Sequence, residues 1–174
     1  RVSEEKHRRL FETTALGVVY QAMDGSIISA NPASERILGH SFEEMKGKTS
    51  HSPIWEIIKE DGSAVSGNDH PAMIALKTGK SCGPVVFGVK NPKTAEFVWI
   101  SIIAIPLFQP GESKPYQVYT TFQDISAERK ASRNYYLLFH EMVDAFALHE
   151  IICDDSGKPV DYRFLAVNTA FEQM

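Results

Sequence analysis

A chain of 174 residues with 43% hydrophobic content can bury one sizeable core with some chain left over. The net charge of −4 comes from interspersed acidic and basic residues, so no basic stripe marks a nucleic-acid binder. No apolar run approaches the ~20 residues of a membrane-spanning helix, and the charged segment from Arg1 to Glu12 lacks the apolar stretch of a signal peptide.

Residues 2–14 read as a helix, with Leu10 and Phe11 as a short apolar patch. Residues 16–21 are strand-prone, and Met23-Asp24-Gly25-Ser26 is a hairpin turn into Ile27-Ile28-Ser29. Asn31-Pro32 starts a helix that stops at Gly39: asparagine caps, and proline at the first helical position gives up no needed hydrogen bond. Ser41-Phe42-Glu43-Glu44 fits a capping box. A longer connection over residues 49–67 holds Trp55 and the Asp61-Gly62 turn, and His70-Pro71 then opens a helix that ends at Gly79. Three long strand-like runs follow, at 84–90, 97–107 and 116–122. After Asp124-Ile125-Ser126 the pattern turns charged and helical. The order is that of an α+β fold on one antiparallel sheet.

Cys82 and Cys153 lie far apart with no CxxC or Cys/His cluster, which indicates a reducing compartment and no structural zinc. No histidine spacing suits a metal. Nucleophile-elbow, P-loop and HExxH motifs are all missing, and no paired acid and base can be placed. The expectation is therefore that the chain is not an enzyme.

The rest of the chain starts over. Leu138-Phe139 repeats Leu10-Phe11 at an offset of 128, and Asn168-Thr169-Ala170-Phe171-Glu172 echoes Asn31-Pro32-Ala33-Ser34-Glu35 at an offset of 137. The longer turn from Asp154 to Pro159 absorbs the difference. Such a repeat indicates tandem domains. The second copy stops after two strands and a helix start, which, with the opening at Arg1, suggests a piece of a longer protein.

The closing run Asp124-Ile125-Ser126-Ala127-Glu128-Arg129-Lys130 resembles the end of the PAS sensory-domain family, where Asp-Ile-Thr is followed by Glu-Arg-Lys. Ser126 replaces the threonine, and Ala127 is inserted before the glutamate. Asn31-Pro32-Ala33, Leu76-Lys77-Thr78-Gly79 and Trp99 followed by Pro106 add to the resemblance, which covers residues 10–130. It implies a five-stranded antiparallel sheet, with short helices on one face and the N-terminal helix on the other. The domain boundaries would be 1–14 for a capping helix, 15–125 for the PAS domain, 126–143 for a connector helix and 144–174 for the start of a second PAS domain.

Strand alternation puts Val98, Ile100, Ile102, Ala104 and Pro106 on one side of the middle strand, and Trp99, Ser101, Ile103 and Ile105 on the other. The family register turns Ile100, Ile102, Ala104, Thr120 and Phe122 inward as pocket candidates. Read without the resemblance, the same residues are simply core. Flavin chemistry of the light-sensing LOV type is disfavoured, because no Asn-Cys-Arg segment occurs and the ring-holding positions are the apolar Ile100 and Phe122. Haem is disfavoured as well: His70 immediately precedes Pro71, a position that favours capping the helix or meeting solvent over pointing into the pocket.

The resemblance thus implies a cytoplasmic sensory module of a signalling protein such as a histidine kinase or diguanylate cyclase, bacterial or archaeal. It would bind a small ligand or a partner and relay its state through Asp124, Ser126, Arg129 and Lys130. Homodimerisation would use the N-terminal and connector helices, where Ala127, Ala131, Leu138 and Met142 share one side. The rival reading is a ligand-free dimerisation scaffold.

Overall fold

The computed structural model describes residues 2–174. They form two units, one ending at Ser126 and the other running from Ala127 to Met174. The first opens with helix α1 (Val2–Thr13), strands β1 (Gly17–Ala22) and β2 (Ile27–Ala30), and helices α2 (Pro32–Leu38) and α3 (Phe42–Met45). Strand β3 (Ile57–Ile58), helix α4 (Pro71–Thr78) and strands β4 (Cys82–Lys90), β5 (Phe97–Leu107) and β6 (Gln117–Asp124) complete it.

Local chemistry sets most of these boundaries. In the β1–β2 turn the Ser26 N–H and hydroxyl both donate to Asp24 Oδ1, at 2.9 and 2.6 Å. The hydroxyl bond is the main cause that holds the Asp24 carboxyl below its ordinary value. Asn31 caps α2, which ends at Gly39 with φ 77°. A side chain at Gly39 would be strained by that dihedral and would also collide with the Asn91 amide. Ser41 and Glu44 form the expected capping box on α3.

The sheet is antiparallel, in the order β2-β1-β6-β5-β4-β3. It has six strands rather than the expected five. The extra one is β3, two residues that pair with Gly88 and Val89 inside the connection expected to be irregular. On the inner face, Val19, Phe87, Ile100, Ile102 and Phe122 pack with Ile27, Leu38 and Met45 in one core cluster. Truncating a residue as enclosed as Ile102, 1% exposed, costs about 2–5 kcal/mol in such cores.

The outer face carries Tyr20, Tyr119 and Ile105 in register, with the two tyrosine rings 5.1 Å apart. Helix α1 meets this face where Phe11 approaches Tyr20, ring centroids 6.2 Å apart. The cover is partial, since Ile103, Ile105 and Tyr116 remain exposed.

The second unit continues helix α5 (Ser126–His140), then strands β7 (Ala147–Cys153) and β8 (Pro159–Val167) and helix α6 (Thr169–Glu172). The helix is three residues shorter than the expected 126–143 connector. Phe139 is its buried residue, while Leu138 on the expected shared side is exposed; Phe139 stacks on Tyr135 and meets Phe146 edge-on. Strands β7 and β8 form a two-stranded sheet.

The two asparagines flagged by the sequence repeat bind alike. Asn31 Oδ1 accepts from the N–H groups of Val18 and Ser34, both at 2.9 Å, and its Nδ2 donates to Leu16 O at 2.9 Å and Phe11 O at 3.0 Å. Asn168 Oδ1 accepts from Phe146 and Phe171 at 2.8 and 3.0 Å, and its Nδ2 donates to Asp144 O at 2.9 Å. Both side chains are fully buried. Leu16 and Val18 stand at the same offset from Asp144 and Phe146 as the two Leu-Phe pairs do from each other. The repeat is therefore one of hydrogen bonding as well as of sequence.

Candidate functional site

The inner face of the first unit does not close completely. A partly open cavity of about 60 Å³ remains between the sheet, α4 and the 49–67 connection. Four of the five pocket candidates line it: Ile100, Ile102, Thr120 and Phe122. Ala104 does not. It lies further along β5 in a separate buried cluster with Ala72, Ala75 and Val118, where α4 crosses the strands. Alternation placed Ala104 on the correct face; the position of α4 along the strand took it out of the cavity.

The sheet side of the cavity depends on one glycine. A Cβ on Gly17 would run into the Phe122 ring, so its absence lets that ring lie flat across the end of β1.

Other lining residues come from segments without strand periodicity. Trp55, Ser50 and Ile57 belong to the connection, and the Trp55 indole N–H is held by Thr49 O at 3.0 Å. His40 stands edge-on to Trp55 at 5.2 Å, and its Nε2 is buried without a partner among the described residues. Gln21 reaches the cavity from β1, where pairing with Val118 puts it on the inner face. Its polar character hid it from a search for apolar positions.

His70 corrects the sequence reading. Its Nδ1 accepts from the Ala72 N–H at 3.4 Å, so it caps α4 as expected. It also lines the cavity instead of turning to solvent, with its ring 6.5 Å from Phe87. Burial pushes its imidazole down to about 4, so the ring is neutral at physiological pH.

The expected relay residues lie at the end of β6. Asp124 Oδ1 accepts from Ser126 N–H at 2.9 Å. The Trp99 N–H donates to Ser126 Oγ at 2.9 Å, and Ile125 N–H donates to Trp99 O at 2.8 Å. The strand end and the first residue of α5 are thus tied to β5 through Trp99. Arg129 and Lys130 lie on α5 beyond this clasp. No metal-holding group of His, Cys, Asp or Glu exists among the described residues. Nor is any helix among them long and apolar enough to cross a membrane.

Comparison with known proteins agrees with this architecture. Residues 5–68 match the family model described as PAS domain. The PAS domain of a Colwellia psychrerythraea protein is similar at 16% identity and TM-score 0.55, covering 72% of this chain and 98% of that one. A domain of a sensory box sensor histidine kinase/response regulator from Geobacter sulfurreducens matches at 15% identity and TM-score 0.52, covering 70% and 94%. A Rhodobacter sphaeroides LOV protein matches at 17% identity and TM-score 0.54, covering 78% and 76%. No curated protein matches the chain in sequence. Residues 5–68 of the first unit thus match the PAS domain family model, and the unit as a whole has the fold of the PAS domains of solved structure.

Proposed function

We propose that the first unit senses a small ligand in its inner cavity and relays the bound state through the start of α5 to an output domain outside this chain. The observation that carries the proposal is continuity. Thr120 and Phe122 line the cavity, and two residues further along the same strand Asp124 enters the clasp with Ser126 and Trp99. A ligand that displaces β6 by a fraction of an ångström acts directly on the helix start, because packed elements move as units.

The output is a kinase or cyclase, this chain is itself no enzyme, and the parent is a cytoplasmic two-component protein. The second unit is the opening of a second PAS domain, a reading supported by the matched hydrogen bonds of Asn31 and Asn168. Homodimers form through α1 and the connector.

A LOV-type flavin is a poor fit, since Ile100 and Phe122 offer no polar edge and the free volume is far below the ~300–1,000 Å³ of ordinary cofactor sites. A ligand-free scaffold remains the second reading, favoured by the exposed Ile103, Ile105 and Tyr116 on the outer face.

Native mass spectrometry of freshly purified chain, set against its denatured mass, tests the proposal. Extra mass lost on denaturation is the expected result. A bare chain that also fails to retain anything from a small-molecule cell extract overturns the ligand reading in favour of the scaffold.

A further inference from the structure

We propose that the cavity selects a small uncharged molecule that presents one carbonyl-type oxygen to the Nε2–H of His70 and otherwise makes apolar contact. The inference rests on the ligand-binding reading above and specifies the ligand's chemistry.

Four polar side chains reach the cavity: Gln21, Ser50, Thr120 and His70. Two of them satisfy each other. Gln21 Nε2 donates to Gly25 O at 2.9 Å, and the Thr120 hydroxyl donates to Gln21 Oε1 at 3.5 Å. The Ser50 hydroxyl rotates, so it suits a donor or an acceptor equally.

His70 has no such freedom. Its Nδ1 accepts from the N–H of Ala72, a residue with no exposed surface. Reversing the tautomer would set two N–H groups against each other and leave a buried donor unpaired. The proton therefore sits on Nε2, which has no partner among the described residues. Burial, which pushes the ring down to about 4, keeps it neutral. His70 thus offers the cavity a fixed neutral donor.

This arrangement excludes as well as selects. Among the described residues no lysine, arginine or carboxylate lines the cavity, so a charged ligand would lose its hydration with nothing to offset the loss. A metal or haem iron would require the Nε2 lone pair and hence the tautomer that breaks the α4 cap. Size narrows the class further. A water-sized group needs ~10–15 Å³ by the same measure, so 60 Å³ admits a molecule of roughly four to six heavy atoms.

Cyclopentanone and methylenecyclopentane provide a matched pair, one with the acceptor oxygen and one without. Titration of each into the full chain, followed by backbone and imidazole ¹⁵N NMR, should show the ketone binding about five- to tenfold more tightly. The His70 Nε2 resonance should shift with the ketone alone. In His70→Asn, which keeps an oxygen to cap α4 but withdraws the imidazole donor, the two affinities should converge. Equal binding of both compounds to the unsubstituted chain, with His70 Nε2 unmoved, overturns this inference and leaves the ligand reading standing. Failure of both compounds to enter the cavity overturns both. The imidazole signals of the unsubstituted chain separate these outcomes even if His70→Asn does not fold.

Discussion

His70 serves two ends with one ring: Nδ1 caps a helix and the ring lines a cavity. That arrangement has a measurable consequence for stability. The folded-state value near 4 lies below the ordinary 6.5, so protons bind the unfolded chain more readily. The stability that neutral His70 contributes is complete above about pH 6.5, falls as the pH drops and is gone below about 4. Between pH 7.5 and 5.0 the unsubstituted chain should lose about 1–2 kcal/mol more than His70→Asn, the full linkage being discounted because the residue is only half-buried. Urea unfolding at the two pH values measures the difference. Equal losses would mean that His70 reaches water in the folded state. The capping role was readable from His70-Pro71, because a cap depends on sequence neighbours. Its place on the cavity wall depends on where α4 lies against the sheet, which no local pattern encodes.

Among the elements, the long strands were the most legible. Strand β5 runs from Phe97 to Leu107, as alternation predicts, because both of its faces carry side chains of matching period. Strand β3 was not legible: two residues hold no period, and Ile57–Ile58 is a strand only because β4 lies beside it. Where β6 meets α5, the bond from Ser126 N–H to Asp124 Oδ1 was foreshadowed by the closing motif, whereas the Trp99 N–H that donates to Ser126 joins residues 27 apart. Asp124→Ala tests the relay. The side chain is exposed and forms no part of the cavity lining, so ligand affinity should change less than twofold and stability by about 1 kcal/mol or less. Output of the parent signalling protein should nevertheless cease to respond to ligand. Equal loss of binding and output would show instead a damaged fold.

At the scale of the whole molecule, the two units differ in what they bury. The first encloses a continuous core from Val19 to Phe122, whereas the second buries little beyond Phe139 and Asn168 and exposes Ile151, Tyr162, Phe164 and Leu165 on its hairpin. A lone two-stranded hairpin is marginal in water. A fragment of residues 1–126 should therefore unfold in one cooperative transition, reported by Trp55 and Trp99, while residues 127–174 alone should melt without one. Circular dichroism and tryptophan fluorescence of the two fragments check this; a cooperative melt of 127–174 would show that the hairpin needs no further strands.

The sequence by itself determined what depends on near neighbours and on period. Turns, caps, the long strands and their inward faces, and the restart of the pattern at Leu138 and Asn168 are all written in adjacent residues. Tertiary structure alone decided which inward residues meet open space and which are packed solid. Ala104 and Ile102 are two residues apart on one face, yet α4 covers the first and leaves the second beside the cavity. That outcome is set by the placement of helices against a sheet, a sum of contacts between distant residues, and it also brings His70, Gln21 and Trp55 around one cavity.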